Sequence, residues 1–234
     1  MKTGCSARAL VTGTPGFAHL EKDSVAAENF NQAMVERTRL IATEVVQNYD
    51  FSSKRIVDVG GGYGELLARI LEAYTDSRGV LFDRPHAVEN ARSLFSARGL
   101  GERFECVAGD FFVSVPSGAD LYLLKSIVHD WDDAQSITIL ENCRKAMRPG
   151  ARLLLIERLM PERLQPTEEH QILAQCDLHM LVALGALERT QAAFVDLLKR
   201  SGLRWLRRIQ LKAGFCIVEA VLLRRRPKAK RDAF

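Results

Sequence analysis

The 234-residue sequence predicts an α/β fold: a mostly parallel sheet of seven strands, helices on both faces, ending in an antiparallel hairpin. Three observations carry this expectation. From Lys54 to Ile156 short apolar runs alternate with amphipathic helical stretches, and strict alternation of this kind implies parallel strands joined by helical crossovers. A glycine-rich turn follows the first apolar run, at the strand end where parallel sheets bind ligands. The last two apolar runs are separated only by Lys212-Ala213-Gly214, long enough for a hairpin and too short for a crossover.

In chain order, residues 1–22, rich in Gly and Thr with Pro15-Gly16, read as an extended lead-in. Asp23-Ser24 offers a helix N-cap, and Phe30, Met34, Ile41 and Val45 recur on one face of a helix running to about Asn48. Strand Lys54–Val59 is followed by helix Glu65–Tyr74, strand Gly79–Phe82 by helix Ala87–Arg98, and strand Phe104–Ala108 by strand Leu121–Lys125. Asp132 and Asp133 cap a helix to Met147, and Pro149-Gly150 turns the chain into strand Arg152–Ile156. A helix over Gln171–Leu184 and another from Thr190 to Arg200 precede the hairpin strands Leu203–Leu211 and Phe215–Leu223. Residues 23–223 thus form one domain, and 224–234 a basic C-terminal tail.

Composition sets limits on function. With 47% hydrophobic and 26% charged residues the chain has material for a real core, and no apolar run approaches the roughly 18 residues of a membrane span. The five cysteines never fall in a C-x-x-C spacing, which argues against a disulfide framework or a zinc site and for thiols in a reducing cytoplasm. Much of the +4 net charge sits in the tail from Arg224 to Arg231, read as solvated. Aromatic residues amount to 7%, without basic interleaving, so nucleic acid is a minor alternative as a partner.

The strongest local signal is Ile56-Val57-Asp58-Val59-Gly60-Gly61-Gly62-Tyr63-Gly64. Dinucleotide sites use G-x-G-x-x-G around a pyrophosphate, whereas here G-x-G-x-G follows an acid. Asp58 would repel a pyrophosphate but can hold the ammonium of an amino-acid ligand. S-adenosylmethionine has that ammonium and no phosphate. Asp83, ending the next strand, is placed to accept from two ribose hydroxyls. After the third strand Asp110 can accept from an adenine amino group while Phe111 packs on the ring.

Beyond the fourth strand lies Leu123-Leu124-Lys125-Ser126-Ile127-Val128-His129-Asp130-Trp131-Asp132-Asp133. Here the sequence resembles the S-adenosylmethionine-dependent O-methyltransferases that include plant caffeate and chalcone methyltransferases, acetylserotonin methyltransferase and bacterial polyketide tailoring enzymes. The motifs that carry the resemblance are the glycine turn, Phe82-Asp83-Arg84-Pro85-His86, Gly109-Asp110-Phe111-Phe112, Val128-His129-Asp130-Trp131 and Glu188-Arg189-Thr190, in the family's order. The match runs from about Phe30 to Leu223 and implies a Rossmann-like class I methyltransferase fold. It further implies that Gly60, Asp83, Asp110, Phe111 and Lys125 contact the cofactor, with Asp58 and Gly62 in the same turn. His129 matches the catalytic base, Glu157 and Glu188 the acids that flank and orient it, and Met34 and Met180 the methionines lining the acceptor pocket. His19, His86, His170 and His179 match nothing in that set.

The expected reaction is methyl transfer to a hydroxyl, phenolic in type, of a small aromatic molecule, giving S-adenosylhomocysteine without a metal. The alternatives are a cofactor-binding relative with other or no activity, and a nucleic-acid methyltransferase. The resemblance also implies a helical dimerisation domain ahead of the part seen here. Thr12-Gly13-Thr14-Pro15-Gly16-Phe17 is similar to the linker that follows it, so the usual dimerisation domain is missing from this part and a homodimer is expected only as a possibility.

Overall fold

The computed structural model describes residues 6–14, 16–18, 20, 23–212 and 214–223. The basic tail at 224–234, together with Pro15, His19 and Ala213, lies outside them. The elements run α1 (Ala7–Thr12), α2 (Ser24–Asn48), β1 (Arg55–Val59), α3 (Glu65–Ala73), β2 (Arg78–Asp83), α4 (Pro85–Ala97), β3 (Phe104–Ala108) and β4 (Leu121–Lys125). A 3-10 turn (Val128–Asp130) follows, then α5 (Asp133–Ala146), β5 (Arg152–Met160), α6 (Glu168–Leu184), β6 (Arg189–Thr190), α7 (Gln191–Arg200), β7 (Leu203–Gln210) and β8 (Phe215–Leu222). The strand order is β3-β2-β1-β4-β5-β8-β7, with β6 paired to β5 off this path. β1 to β5 are parallel to one another, whereas β8 runs antiparallel to both β5 and β7.

Strand periodicity explains the layers. Successive side chains leave a strand on opposite faces. Val57, Val59, Tyr122, Leu124, Leu153 and Leu155 enter one core with Ile139 and Leu140 of α5 and Phe194 of α7. Ile56, Leu121, Leu123, Leu154 and Ile156 enter the other, with Ile41 and Val45 of α2, Leu67 of α3 and Phe95 of α4. The expected two-sided sheet is therefore built by simple alternation. Chain order reverses between β1 and β4, and the crevice at that reversal opens at the carboxyl ends of both strands.

Caps set the helix starts as expected. Asp23 accepts from the N–H groups of Val25 and Ala26, Asp132 from Gln135, and Thr190 from Ala193.

Three expectations need correction. The lead-in is not wholly extended: Ser6 caps α1 at one end and Gly13, at φ 68°, closes it at the other. Ser6 Oγ also donates to the carbonyls of Val182 (3.2 Å) and Ala183 (2.9 Å), which ties α1 to the end of α6. The sheet has an eighth strand, because β5 runs on to Met160 and its extension pairs Leu159 and Met160 with Arg189 and Thr190. Helix α6 starts at Glu168 rather than Gln171, with Thr167 accepting from the N–H of His170. No described helix is long and apolar enough to cross a membrane.

Candidate active site

β1 delivers Asp58 and then turns at Gly60 (φ 70°) and Gly62 (φ 59°), left-handed conformations that favour glycine. The three glycines do different things. A Cβ on Gly60 would lie 2.5 Å from Ile127 Cδ1, and one on Gly61 2.6 Å from Asp58 Oδ2. These two are small because the turn packs against the protein itself. At Gly62 the nearest atom to such a Cβ is Asn31 Oδ1, at 3.7 Å, so only there does the main chain face open space. Asp83 Oδ2 accepts from the Gly62 N–H (2.6 Å) and Oδ1 from the Arg84 N–H (2.6 Å), which joins the ends of β1 and β2. Burial raises the Asp83 pKa.

Asp58 lies beneath this turn, fully buried, and neither carboxylate oxygen has a partner among the described residues. Burial lifts its pKa to about 7, against the opposing pull of Lys125. Lys125, at the end of β4, is itself pushed down by desolvation. On the far side of the crevice Asp110 Oδ2 pairs with Arg84 (3.0 Å) and Oδ1 accepts from the Phe112 N–H (2.8 Å). Phe111 stacks edge-on to Phe112 and Trp131, and Trp131 also meets Phe17.

β4 leaves the sheet through Ser126, at φ 54°, a strained setting for a non-glycine residue and one that clusters at functional sites. The 3-10 turn that follows carries His129, which is buried. Its Nδ1 lies 2.9 Å from Glu188 Oε1 and its Nε2 3.3 Å from Asp130 Oδ1. Burial alone would depress the imidazole pKa, but the charges of Glu157, Asp130 and Glu188 and the hydrogen bond donated to Glu188 outweigh it, lifting the pKa to about 9. Glu157 makes no hydrogen bond to the ring. Its Oε1 accepts instead from the N–H groups of Ile127 (3.1 Å) and Val128 (2.9 Å), while Oε2 is buried without a partner among the described residues. Desolvation raises Glu157 to about 7 and Asp130 to about 6.

His129, Glu157, Glu188, Lys125 and Asp58 thus form one electrostatic cluster, joined by Arg37 from α2. Met34 is half-buried on α2. Met180 is buried on α6, which packs against the 3-10 turn, yet it belongs to neither core cluster. Sequence reasoning passed over Asp130, Arg37 and Arg189. Asp130 and Arg189 stood inside quoted motifs, whereas nothing in the sequence marked Arg37. Among the described residues no group of three or more His, Cys, Asp or Glu is arranged to hold a metal ion.

Comparison with known proteins finds relatives similar in sequence and fold. A phenazine O-methyltransferase of Lysobacter antibioticus is 42% identical over 221 residues, covering 94% of this chain and 64% of the relative. A phenazine-1-carboxylate N-methyltransferase of Pseudomonas aeruginosa is 37% identical over 203 residues, 83% of this chain and 59% of that protein. An O-methyltransferase of neocarzinostatin biosynthesis, solved with S-adenosylmethionine and 2-hydroxy-5-methyl naphthoic acid, superposes with a TM-score of 0.87 at 31% identity, covering 95% of this chain and 65% of that one. The chain therefore spans less than two thirds of the length of these relatives. The fold is that of class I S-adenosylmethionine methyltransferases. Residues 7–204 match the O-methyltransferase domain model, and the chain belongs to that family.

Proposed function

We propose that the chain transfers a methyl group from S-adenosylmethionine to the hydroxyl oxygen of a small aromatic molecule, with His129 as general base. The observation that carries this reading is the buried imidazole of His129, held at Nδ1 by Glu188 beside the crevice. A phenol ionises near pH ~10, so at neutral pH only about one molecule in a thousand is the nucleophilic phenolate. With Nδ1–H donated to Glu188, Nε2, which lies 3.3 Å from Asp130 Oδ1, is the nitrogen that would take the acceptor's proton, and a positioned base of this kind contributes roughly 10²–10⁴-fold.

The residues fit the cofactor. The orphaned carboxylate of Asp58 can pair with its ammonium, Asp83 with the ribose hydroxyls, and Asp110 and Phe111 with the adenine. Gly60 and Gly62 shape the turn, and Gly62 leaves room against it. The acids Asp58, Asp83, Asp130, Glu157 and Glu188 outnumber the bases Lys125, Arg37 and His129, which favours a cationic guest. When bound, S-adenosylmethionine would supply an electrophilic methyl on a positively charged sulfur. Met34 and Met180 would line the acceptor space. The reaction so written needs no metal, and we place it in the cytoplasm.

A second reading, transfer to nitrogen, is favoured by the Pseudomonas aeruginosa relative named above. A nitrogen acceptor with no proton to lose would not need His129. Labelled cofactor and a panel of hydroxynaphthoic acids, hydroxyphenazines and their amino counterparts separate the two. His129→Gln is expected to cut kcat on a phenol by at least ~10²-fold while cofactor affinity, by calorimetry, stays within about twofold. Full turnover of a phenol by this variant would overturn the base assignment.

A further inference from the structure

Arg189 is the bulkiest fully buried side chain among the described residues. Arginine is rarely taken out of water unless its donors are matched. Here the match is specific. Nη1 donates to the Val128 carbonyl (2.8 Å) and Nη2 to the Trp131 carbonyl (2.8 Å), the two carbonyls that bracket His129 and Asp130. Nε and Nη2 both reach Asp133 Oδ1 (3.1 and 2.9 Å), at the first turn of α5.

The turn needs this help. Its closing bond, Trp131 N–H to the Val128 carbonyl, is 3.4 Å long, and a single 3-10 turn has little stability of its own. Glu157 satisfies the turn's leading N–H groups, and Arg189 donates to the carbonyls at its two ends at 2.8 Å each, closer than the Ser136 Oγ that also reaches both (3.3 Å). Arg189 also follows Glu188 directly. One short segment therefore supplies both the partner of His129 Nδ1 and the clamp on the backbone that carries His129. Asp177 Oδ1 anchors the same segment by accepting the Glu188 N–H (2.8 Å).

We propose that Arg189 is a positioning residue for the methyl transfer: its guanidinium fork fixes the Val128–Asp130 turn against Glu188 and so sets the orientation and tautomer of His129. This rests on reading His129 as the base, and the test below separates the two. Lysine cannot replace the fork, since an ammonium is a point donor without the planar geometry that reaches two carbonyls and a carboxylate together.

The test titrates the His129 imidazole by NMR in the cofactor-free chain, using His129→Gln to assign its signal among the five histidines. Wild type, Arg189→Met, Arg189→Lys and Asp133→Asn are compared, together with kcat and KM on the fastest phenol of the panel above. The groups facing the ring are Glu157, Glu188 and Asp130, with Lys125 and Arg37 behind them. In Arg189→Met the ring should drift from Glu188, so its pKa should fall by about one unit or more. kcat should fall roughly 10²-fold while KM and cofactor affinity change less than about threefold. Arg189→Lys should recover only part of that loss. If Arg189→Met does not fold, Asp133→Asn decides: its half-exposed carboxylate anchors the fork, and its loss should lower kcat about three- to tenfold with the same direction of pKa shift. An unshifted imidazole titration in the folded variants, whatever the activity, would reduce Arg189 to a structural tie and overturn the proposal. If the titration shifts as expected but wild type methylates no phenol, Arg189 keeps its hold on the His129 turn, and the reading of His129 as base, with the part of Arg189 in methyl transfer, is what fails.

Discussion

Asp58 shows how a residue can be costly to the fold and still belong in it. Its carboxylate is buried with no partner, so charging it in the folded chain is unfavourable and its pKa rises to about 7. The unfolded chain loses that proton near the ordinary value of 3.8. Between these two pH values the folded state holds more protons, so stability falls as pH rises from about 4 to about 7 and is flat above. Asp58→Asn is expected to stabilise the cofactor-free protein by on the order of 1–3 kcal/mol at pH 8, with the gain vanishing towards pH 4, and to weaken cofactor binding. Denaturant melts at the two pH values check this; equal gains at both would mean that folding does not raise the pKa of Asp58. His129 gives a second expectation with its own sign. A base must be neutral to act, and its pKa is raised to about 9, so kcat/KM should grow with pH up to about 9. That limb belongs to the coupled cluster with Glu157 and Asp130 rather than to His129 alone. Glu188→Gln removes a negative charge that raises the pKa, so the limb should move to lower pH while the maximal rate falls. A pH–rate profile with an unmoved limb would disconnect Glu188 from the base.

At the scale of elements, the glycine turn between β1 and α3 makes a testable distinction. Gly60 and Gly62 look equivalent in the sequence, and both sit at positive φ. Only Gly60 is packed so that a Cβ would strike Ile127, the residue that leads into the His129 turn. Gly60→Ala should therefore cost about 2–4 kcal/mol from backbone strain and forced repacking. It should also reduce cofactor affinity, because Ile127 must shift. Gly62→Ala meets only the strain, of about 1–2 kcal/mol, yet it fills the one stretch of open main chain. The expected pattern is a larger loss of stability for Gly60→Ala and a larger loss of affinity per unit of stability for Gly62→Ala. Melts and calorimetry on the pair test it, and the reverse order would mean that the ligand approaches at Gly60.

For the whole molecule, protection is expected to be uneven. The central strands are almost wholly buried on both faces, whereas α1 buries no residue and the seventeen residues of α6 bury only Leu173 and Met180. Segments with few buried contacts open first. Amide hydrogen exchange should therefore be slowest in β1, β4 and β5, near the global unfolding rate, and fast in α1 and α6. Opening of α6 would release Asp177 from the Glu188 N–H, so ligands that steady the site should slow exchange in α6. Uniform protection across α6 and the central strands would show that the sheet and this helix open as one unit.

The sequence by itself determined the layers and the strand ends at which the crevice opens. Alternating apolar positions such as Ile56 and Val57 assign each strand's two faces, and caps such as Asp23, Asp132 and Thr190 start helices through bonds two or three residues away. Glycines after β1 and acids at strand ends mark the crevice for the same reason: their signal is local, carried by neighbours in the chain. Tertiary structure decided the rest. α1 is six residues long, too short to hold as a helix without α6 beneath it, and β6 is a strand only because β5 extends to meet it. Glu188 meets His129 across 59 residues of sequence, and Arg189 meets the Val128 carbonyl across 61. Which acid bonds the ring, which one caps the turn and which arginine is sealed inside depend on contacts at that range. No periodicity records them, because they are chosen by packing between elements and not by the propensity of any one of them.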